Sequence, residues 1–304
     1  MTTIVQLTDV HVAEFSGLRK RDFLTKRLSG YVNYRRSRAS EYGDEVLADM
    51  VAETVKQRPD HAVVTGDLSN LGLVSEWVAA KQRLQPIAEA GIPLTVIPGN
   101  HDAYLNSSKG GEFERIYAKW QVQHTPATGP YPFVARVGNV SLIHLDSAIP
   151  RPVMVASGHV GAQQLECAAS MAAHERAEGQ VIVLAIHHHV TRAPHKKSEA
   201  RRGIINVREV REMIREVKPE VVMHGHNHYF HMRRMRGAED TLIVGCSSST
   251  TRKTTPKARR GQALRYTFDS AGLTGLATHW WGSDGFEPVT LDDVPVESAH
   301  EALD

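Results

Sequence analysis

Leu94-Thr95-Val96-Ile97-Pro98-Gly99-Asn100-His101-Asp102 opens as a β-branched, apolar run and closes on a proline, a glycine and three polar residues. The run has the length and composition of a strand covered on both faces, and Pro98 and Gly99 punctuate its end. The amide, imidazole and carboxylate that follow would then stand past the carboxyl end of the strand, where open α/β sheets gather their ligands. The same layout recurs along the chain. Residues 3–7 lead into Asp9-Val10-His11, 62–65 into Gly66-Asp67, 181–186 into His187-His188-His189, and 221–224 into Gly225-His226-Asn227-His228. Five such blocks in order read as one divided site for two metal ions, with hydrolytic chemistry as the leading expectation.

Between these runs lie helical patterns. Val46, Leu47, Met50, Val51, Thr54 and Val55 form one apolar face, and residues 75–90 form a second helix that Pro86 should kink or stop early. A third covers residues 162–176. A fourth covers 207–217, opened by Asn206 with Glu209 three residues on, the spacing of a capping box. Strands alternating with helices imply parallel βαβ units. Beyond Gly225 the helical signal gives way to short strand-like pieces around Gly237, Gly245 and Gly272, which suggest a second, antiparallel sheet. Residues 140–145 and 242–244 are further apolar runs. The expected fold class is therefore α/β: a four-layer α/β/β/α sandwich of two mixed β-sheets with the metal site at the strand ends. It would fill residues 1–291 as one domain, leaving the acidic stretch 292–304 as a loose tail.

A chain of 304 residues, 41% hydrophobic and 23% charged, is an ordinary globular one able to bury a full core. No run approaches 18 apolar residues, and the start carries no basic-then-apolar leader, so the expected location is cytoplasmic. Cys167 and Cys246 lie outside any Cys-x-x-Cys setting and read as reduced thiols. The net charge of +2 is unevenly spread: residues 19–38 hold eight Lys or Arg against Asp22, a local +7, leaving −5 elsewhere. Leu18, Phe23, Leu24, Leu28, Tyr31 and Val32 interleave with these charges, so the insertion at 17–40 reads as a basic amphipathic flap, although Gly30 weakens the helix. Three readings stay open for it: a solvated face, a grip on an anionic substrate, or contact with an anionic membrane surface. Nucleic-acid binding has no strong signal.

The donors suit transition metals better than calcium, and no thiolate site is available. Gly66 lets the chain turn so that Asp67 can reach beyond the sheet and bridge two cations. His226 and His228 flank one residue after Gly225 and can face two adjacent ions. Asp9 and His11 can serve one ion only if the chain turns sharply between them.

The series resembles the calcineurin-like metallophosphoesterases, and in layout and length their class III cyclic nucleotide phosphodiesterases. That resemblance implies one ion on Asp9, His11, Asp67 and His228, another on Asp67, Asn100, His187 and His226, and a catalytic His101 directed at the substrate phosphate. It implies two divalent or mixed-valence ions, with manganese, iron or zinc foremost. The fit rests on blocks spanning residues 9–228. The family often has a proline soon after the ligand histidine of the fourth block; here Val190 and Thr191 stand there. His188 and His189 could face substrate or be simple loop residues. His144 and Asp146 imitate a ligand pair but fall outside the series, and His224 should lie inside a sheet. The loop bearing Arg192, His195, Lys196, Lys197, Arg201 and Arg202 could bind phosphate or be merely solvated.

Two ions sharing Asp67 would activate a bridging hydroxide for in-line attack on phosphorus. No Walker-type loop or Gly-x-Ser-x-Gly elbow offers another route. The functional expectation is a phosphodiesterase or phosphatase for a small or lipid-linked phosphoester. The alternatives are a lipid or nucleotide-sugar phosphohydrolase near a membrane and a non-catalytic protein-binding scaffold.

Overall fold

The computed structural model describes residues 1–109, 111–121, 129–192 and 201–298. His195, Lys196 and Lys197 lie outside them. In chain order the strands are β1 (Thr2–Leu7), β2 (His61–Val64), β3 (Leu94–Val96), β4 (Phe133–Val137), β5 (Val140–His144) and β6 (Val181–Ala185), then β7 (Val221–His224), β8 (His231–Met235), β9 (Ala238–Gly245), β10 (Gln262–Asp269), β11 (Gly272–Trp280) and β12 (Glu287–Val289). The α-helices are α1 (Arg27–Asn33), α2 (Ala39–Glu41), α3 (Asp44–Gln57), α4 (Val74–Glu89), α5 (Glu112–Tyr117), α6 (Ala162–Ala177) and α7 (Val207–Val217).

Two six-stranded sheets result, ordered β12-β11-β10-β1-β2-β3 and β4-β5-β6-β7-β9-β8. Each has a parallel half built from βαβ units and an antiparallel remainder. Alternation along the strands builds the layers. On β1 and β2, Val5, Ala62 and Val64 pack with Leu47, Met50 and Trp77 of α3 and α4. Ile4 and Val63 point the other way and join Leu142, Val183 and Met223 between the sheets. Beyond the second sheet, Ile143, Leu184 and Val222 meet Leu165, Val210 and Ile214 of α6 and α7. The four-layer α/β/β/α architecture is thus the observed one.

Four local expectations differ. The strands after Gly225 divide between the two sheets: β8 and β9 complete the second, while β10 to β12 extend the first from β1. Pairing β10 against β1 covers what would otherwise be an exposed edge. Helix α4 runs through Pro86 to Glu89 without an early stop, keeping Ile87 buried. The capping box at α7 does not form, because the Asn206 side chain bonds both backbone groups of Val160 instead. Finally, the described part of the acidic stretch is docked: Val294 is buried, and Glu297 forms a buried ion pair at 2.6 Å with Arg211. Cys167 and Cys246 are both free. Among the described residues no helix is long and apolar enough to cross a membrane.

Candidate metal centre

The carboxyl ends of β1, β2 and β3 in one sheet and of β6 and β7 in the other meet along a single edge. The chain leaves β1, β2 and β7 by an unusual turn. Asp9, His11, Asp67, His226 and His228 all have positive φ, between 45° and 67°. Non-glycine residues rarely adopt this left-handed conformation, and such strain persists where the surrounding structure demands it. It supplies the sharp turn that brings Asp9 and His11 to one side. Gly66, at φ 97°, passes so close to the His187 ring that a Cβ there would strike Nδ1. Backbone bonds from Asp9 N to Gly66 O and His11 N to Asp67 O, each 2.9 Å, lock the two turns together.

Two donor sets converge, one of Asp9, His11, Asp67 and His228 and the other of Asp67, His187 and His226, each with its ligand atoms within 4.8 Å of one another. Asn100 lies beside the second set, its Oδ1 3.2 Å from His187 Nε2 and 2.9 Å from His226 Nδ1. The imidazoles are oriented from behind. His187 Nδ1 donates to Thr65 O at 2.8 Å and His11 Nδ1 to Ser69 O at 3.3 Å, which turns each Nε2 inward as the nitrogen that could bind a cation. His11 Nε2 and His228 Nε2 stand 3.1 Å apart, with Asp9 Oδ1 2.9 Å from the latter. Electron-pair donors packed this closely are favourable around cations. Burial would raise the Asp9 and Asp67 carboxyls, but neighbouring imidazoles, His228 for Asp9 and His187 for Asp67, outweigh it and keep both ionised. Burial also opposes charge on His187, yet Asp67 lifts its pKa to about 9, so a cation would take that proton's place.

His101 stands beside this array. Its backbone N–H donates to Asp67 Oδ1 at 2.8 Å, and its Nδ1–H to Asn70 O at 2.7 Å. The remaining Nε2 accepts from Arg38 at 3.0 Å. Burial first, and then the Arg38 charge, lower the His101 pKa to about 4, so the ring is neutral at pH 7. Arg38 comes from the basic insertion, which is helical from residue 27 to 41 through Gly30, with a wide π-helical turn at Tyr34–Arg38. Gly30 suits that helix because a Cβ would collide with Tyr104 and Leu71. Tyr42, just after the insertion, places its hydroxyl 3.0 Å from His228 Nδ1.

The model of the family described as calcineurin-like phosphoesterase matches residues 2–230. The chain belongs to this family. A curated relative, the glycerophosphodiester phosphodiesterase GpdQ of Enterobacter lignolyticus (strain SCF1), is 42% identical over 57 residues, 18% of this chain. That match spans about a fifth of the relative's own length, 19%. Among solved structures, a dimetal phosphatase from Danio rerio superposes with a TM-score of 0.62 at 12% identity, covering 95% of this chain and 98% of that one. A purple acid phosphatase from seeds of yellow lupin (Lupinus luteus) gives 0.62 at 13% identity, covering 94% and 52%. These likenesses show a shared fold. In this calcineurin-like phosphoesterase the donor set around Asp67 fits two metal ions.

The remaining histidines fall into place around that set. His188 spends both ring nitrogens on Ser147 Oγ (2.8 Å) and Ala156 O (3.1 Å). His189 is buried, its ring stacked 5.6 Å from that of His226. His224 is inside the second sheet with Nδ1 3.0 Å from Gly225 O. His144 bonds Thr95 Oγ1 at 2.8 Å and stacks on Phe133, while Asp146 accepts from Ala148 N at 2.7 Å, so this strand-end pair serves the scaffold. Asp102, which closes the third block, ties loops together instead of facing the donor set: it accepts from Leu68 N, Ser69 N, Gly99 N, Ser69 Oγ and Trp77 Nε1. A pocket of about 300 Å³ opens over the site, with Arg38, Arg202, Lys253 and Arg259 among its lining. Glu41, paired with Lys253, and Asp67 also line it, so the pocket keeps a net positive lining that favours an anionic ligand. Sequence reading singled out the charge run that contains Arg38 but missed Arg38 itself, Tyr42, Lys253 and Arg259.

Proposed function

We propose that the protein is a dinuclear metal-dependent phosphodiesterase. Asp9, His11, Asp67 and His228 hold one ion, Asp67, Asn100, His187 and His226 hold the other, and His101 with Arg38 receives the phosphate. The observation that carries this reading is the sharing of Asp67 by two donor sets, 2.8 Å from the backbone of His101. The bound ions would supply charge neutralisation at the phosphoryl oxygens and an activated water. The chain's own part is positional. Asn70 O fixes the His101 proton on Nδ1, so Nε2 accepts from the Arg38 guanidinium and holds it over the site, and a phosphate oxygen entering there would meet that positive charge. Preference for a diester is supported by the local similarity to a glycerophosphodiester phosphodiesterase. The imidazole, carboxylate and amide set suits manganese, iron or zinc.

Protein loaded separately with each of these metals should cleave bis(p-nitrophenyl) phosphate, and Asp67→Ala or Asn100→Ala should reduce turnover at least a hundredfold. Unchanged turnover in both variants would sink the ligand assignment.

A further inference from the structure

On the far side of His101 lies a second cleft, of about 340 Å³, between the basic insertion and the loop of residues 149–156. Arg38, Asn100 and His101 line both this cleft and the pocket over the metal centre, so the two spaces are continuous. The walls of the cleft differ in chemistry. On one side Lys26 is half-buried: its Nζ donates to Arg151 O at 2.6 Å and sits 4.3 Å from the centre of the Tyr104 ring. Among the described residues no carboxylate is within ion-pair reach of it. Burial lowers its pKa to about 8, which leaves it a cation at neutral pH. Next to it, beyond Arg151, Pro152 to Val155 form an apolar stretch whose Val153 and Met154 are 50% and 82% exposed, and Arg202 also lines the cleft.

We propose that this cleft is the leaving-group subsite, taking an alcohol that offers an anionic substituent to Lys26 and an apolar body to residues 152–155. The inference rests on the phosphodiesterase reading above, in which His101 and Arg38, which line both spaces, receive the phosphate. Hydrolysis forms a bond from the water oxygen to phosphorus and breaks the bond to the leaving oxygen. One water proton ends on the departing alcohol and the other stays with the phosphate product. In-line displacement expels the alcohol away from the attacking water. The cleft lined by His101 would give the departing alcohol room. An ammonium already stripped of part of its water and lacking a carboxylate gains by meeting an anion.

Three methyl aryl phosphates test this, with a carboxylate, a carboxamide or a butyl group on the leaving phenol. The metal-loaded enzyme should favour the carboxylate over the carboxamide by about tenfold in kcat/KM, a partly desolvated ion pair. Lys26→Gln should bring that ratio to about one, and Lys26→Arg should keep it. Val155→Asp should lower the butyl-to-carboxamide ratio by about fivefold through loss of apolar contact. An unchanged carboxylate ratio in Lys26→Gln, or an unchanged butyl ratio in Val155→Asp, overturns the subsite. No turnover of any diester by the metal-loaded enzyme overturns the phosphodiesterase reading instead.

Discussion

Arg38 and His101 meet at 3.0 Å, and each restrains the other. Burial first, and then the guanidinium, keep the imidazole neutral, while the imidazole holds the guanidinium over the site. Replacing Arg38 by alanine should raise KM for bis(p-nitrophenyl) phosphate about tenfold, the worth of a charge-assisted contact, with a smaller change in kcat. Arg38→Lys should recover part of the loss. Steady-state kinetics decides, and an unaltered KM in Arg38→Ala would remove Arg38 from phosphate binding. The convergence of the two donor sets was legible in the sequence because each of their residues follows an apolar run, several with a glycine at the turn. Arg38 was not. It is one of eight cations in a charged run, and only the wide turn at Tyr34–Arg38 selects it.

Among the elements, the loops after β2 and β3 depend on one carboxylate. Asp102 gathers three backbone N–H groups, a hydroxyl and an indole N–H, and thereby fixes Asn100 and His101 relative to Asp67. Asp102→Ala should cost on the order of 3 kcal/mol in urea unfolding, since buried donors lose their acceptor, and should lower turnover as well. A loss under about 1 kcal/mol would mean the loops hold their register without it. The sequence assigns Asp102 no role, because donor type and spacing do not reveal the direction of a side chain. The helix start at Asn206 misled for a related reason. Its amide had a better offer from both backbone groups of Val160, 46 residues away, and no local pattern reports that.

Across the whole molecule, a buried polar chain links the sheets. His61 Nε2 of β2 and His144 Nε2 of β5 both bond Thr95 Oγ1 of β3, each at 2.8 Å. Burial lowers His61 to about 4 and His144 to about 3, so folding selects their neutral forms. Their stabilisation is complete above the unfolded value near 6.5 and is lost as pH falls from there toward 4 and 3. By pH 5 each should cost about 2 kcal/mol. Urea unfolding at pH 7, 6 and 5 should show a steeper decline for the wild type than for His61→Gln/His144→Gln; equal slopes would contradict the link. The two-sheet sandwich was readable from alternating strands and helices. The fate of the strands after Gly225 was not, because short antiparallel strands carry no mark of the sheet they join, and only the free flank of β1 drew β10 across.

Neither sheet owns the metal centre. Asp9, His11, Asp67 and Asn100 extend from the first sheet, while His187, His226 and His228 extend from the second. A chain emerging from the ribosome therefore cannot present either full donor set until Gly225-His226-Asn227-His228 has been made and the two sheets have closed on each other. Loading of ions into this donor set would then be a late step, because half-finished chains present only part of each cage.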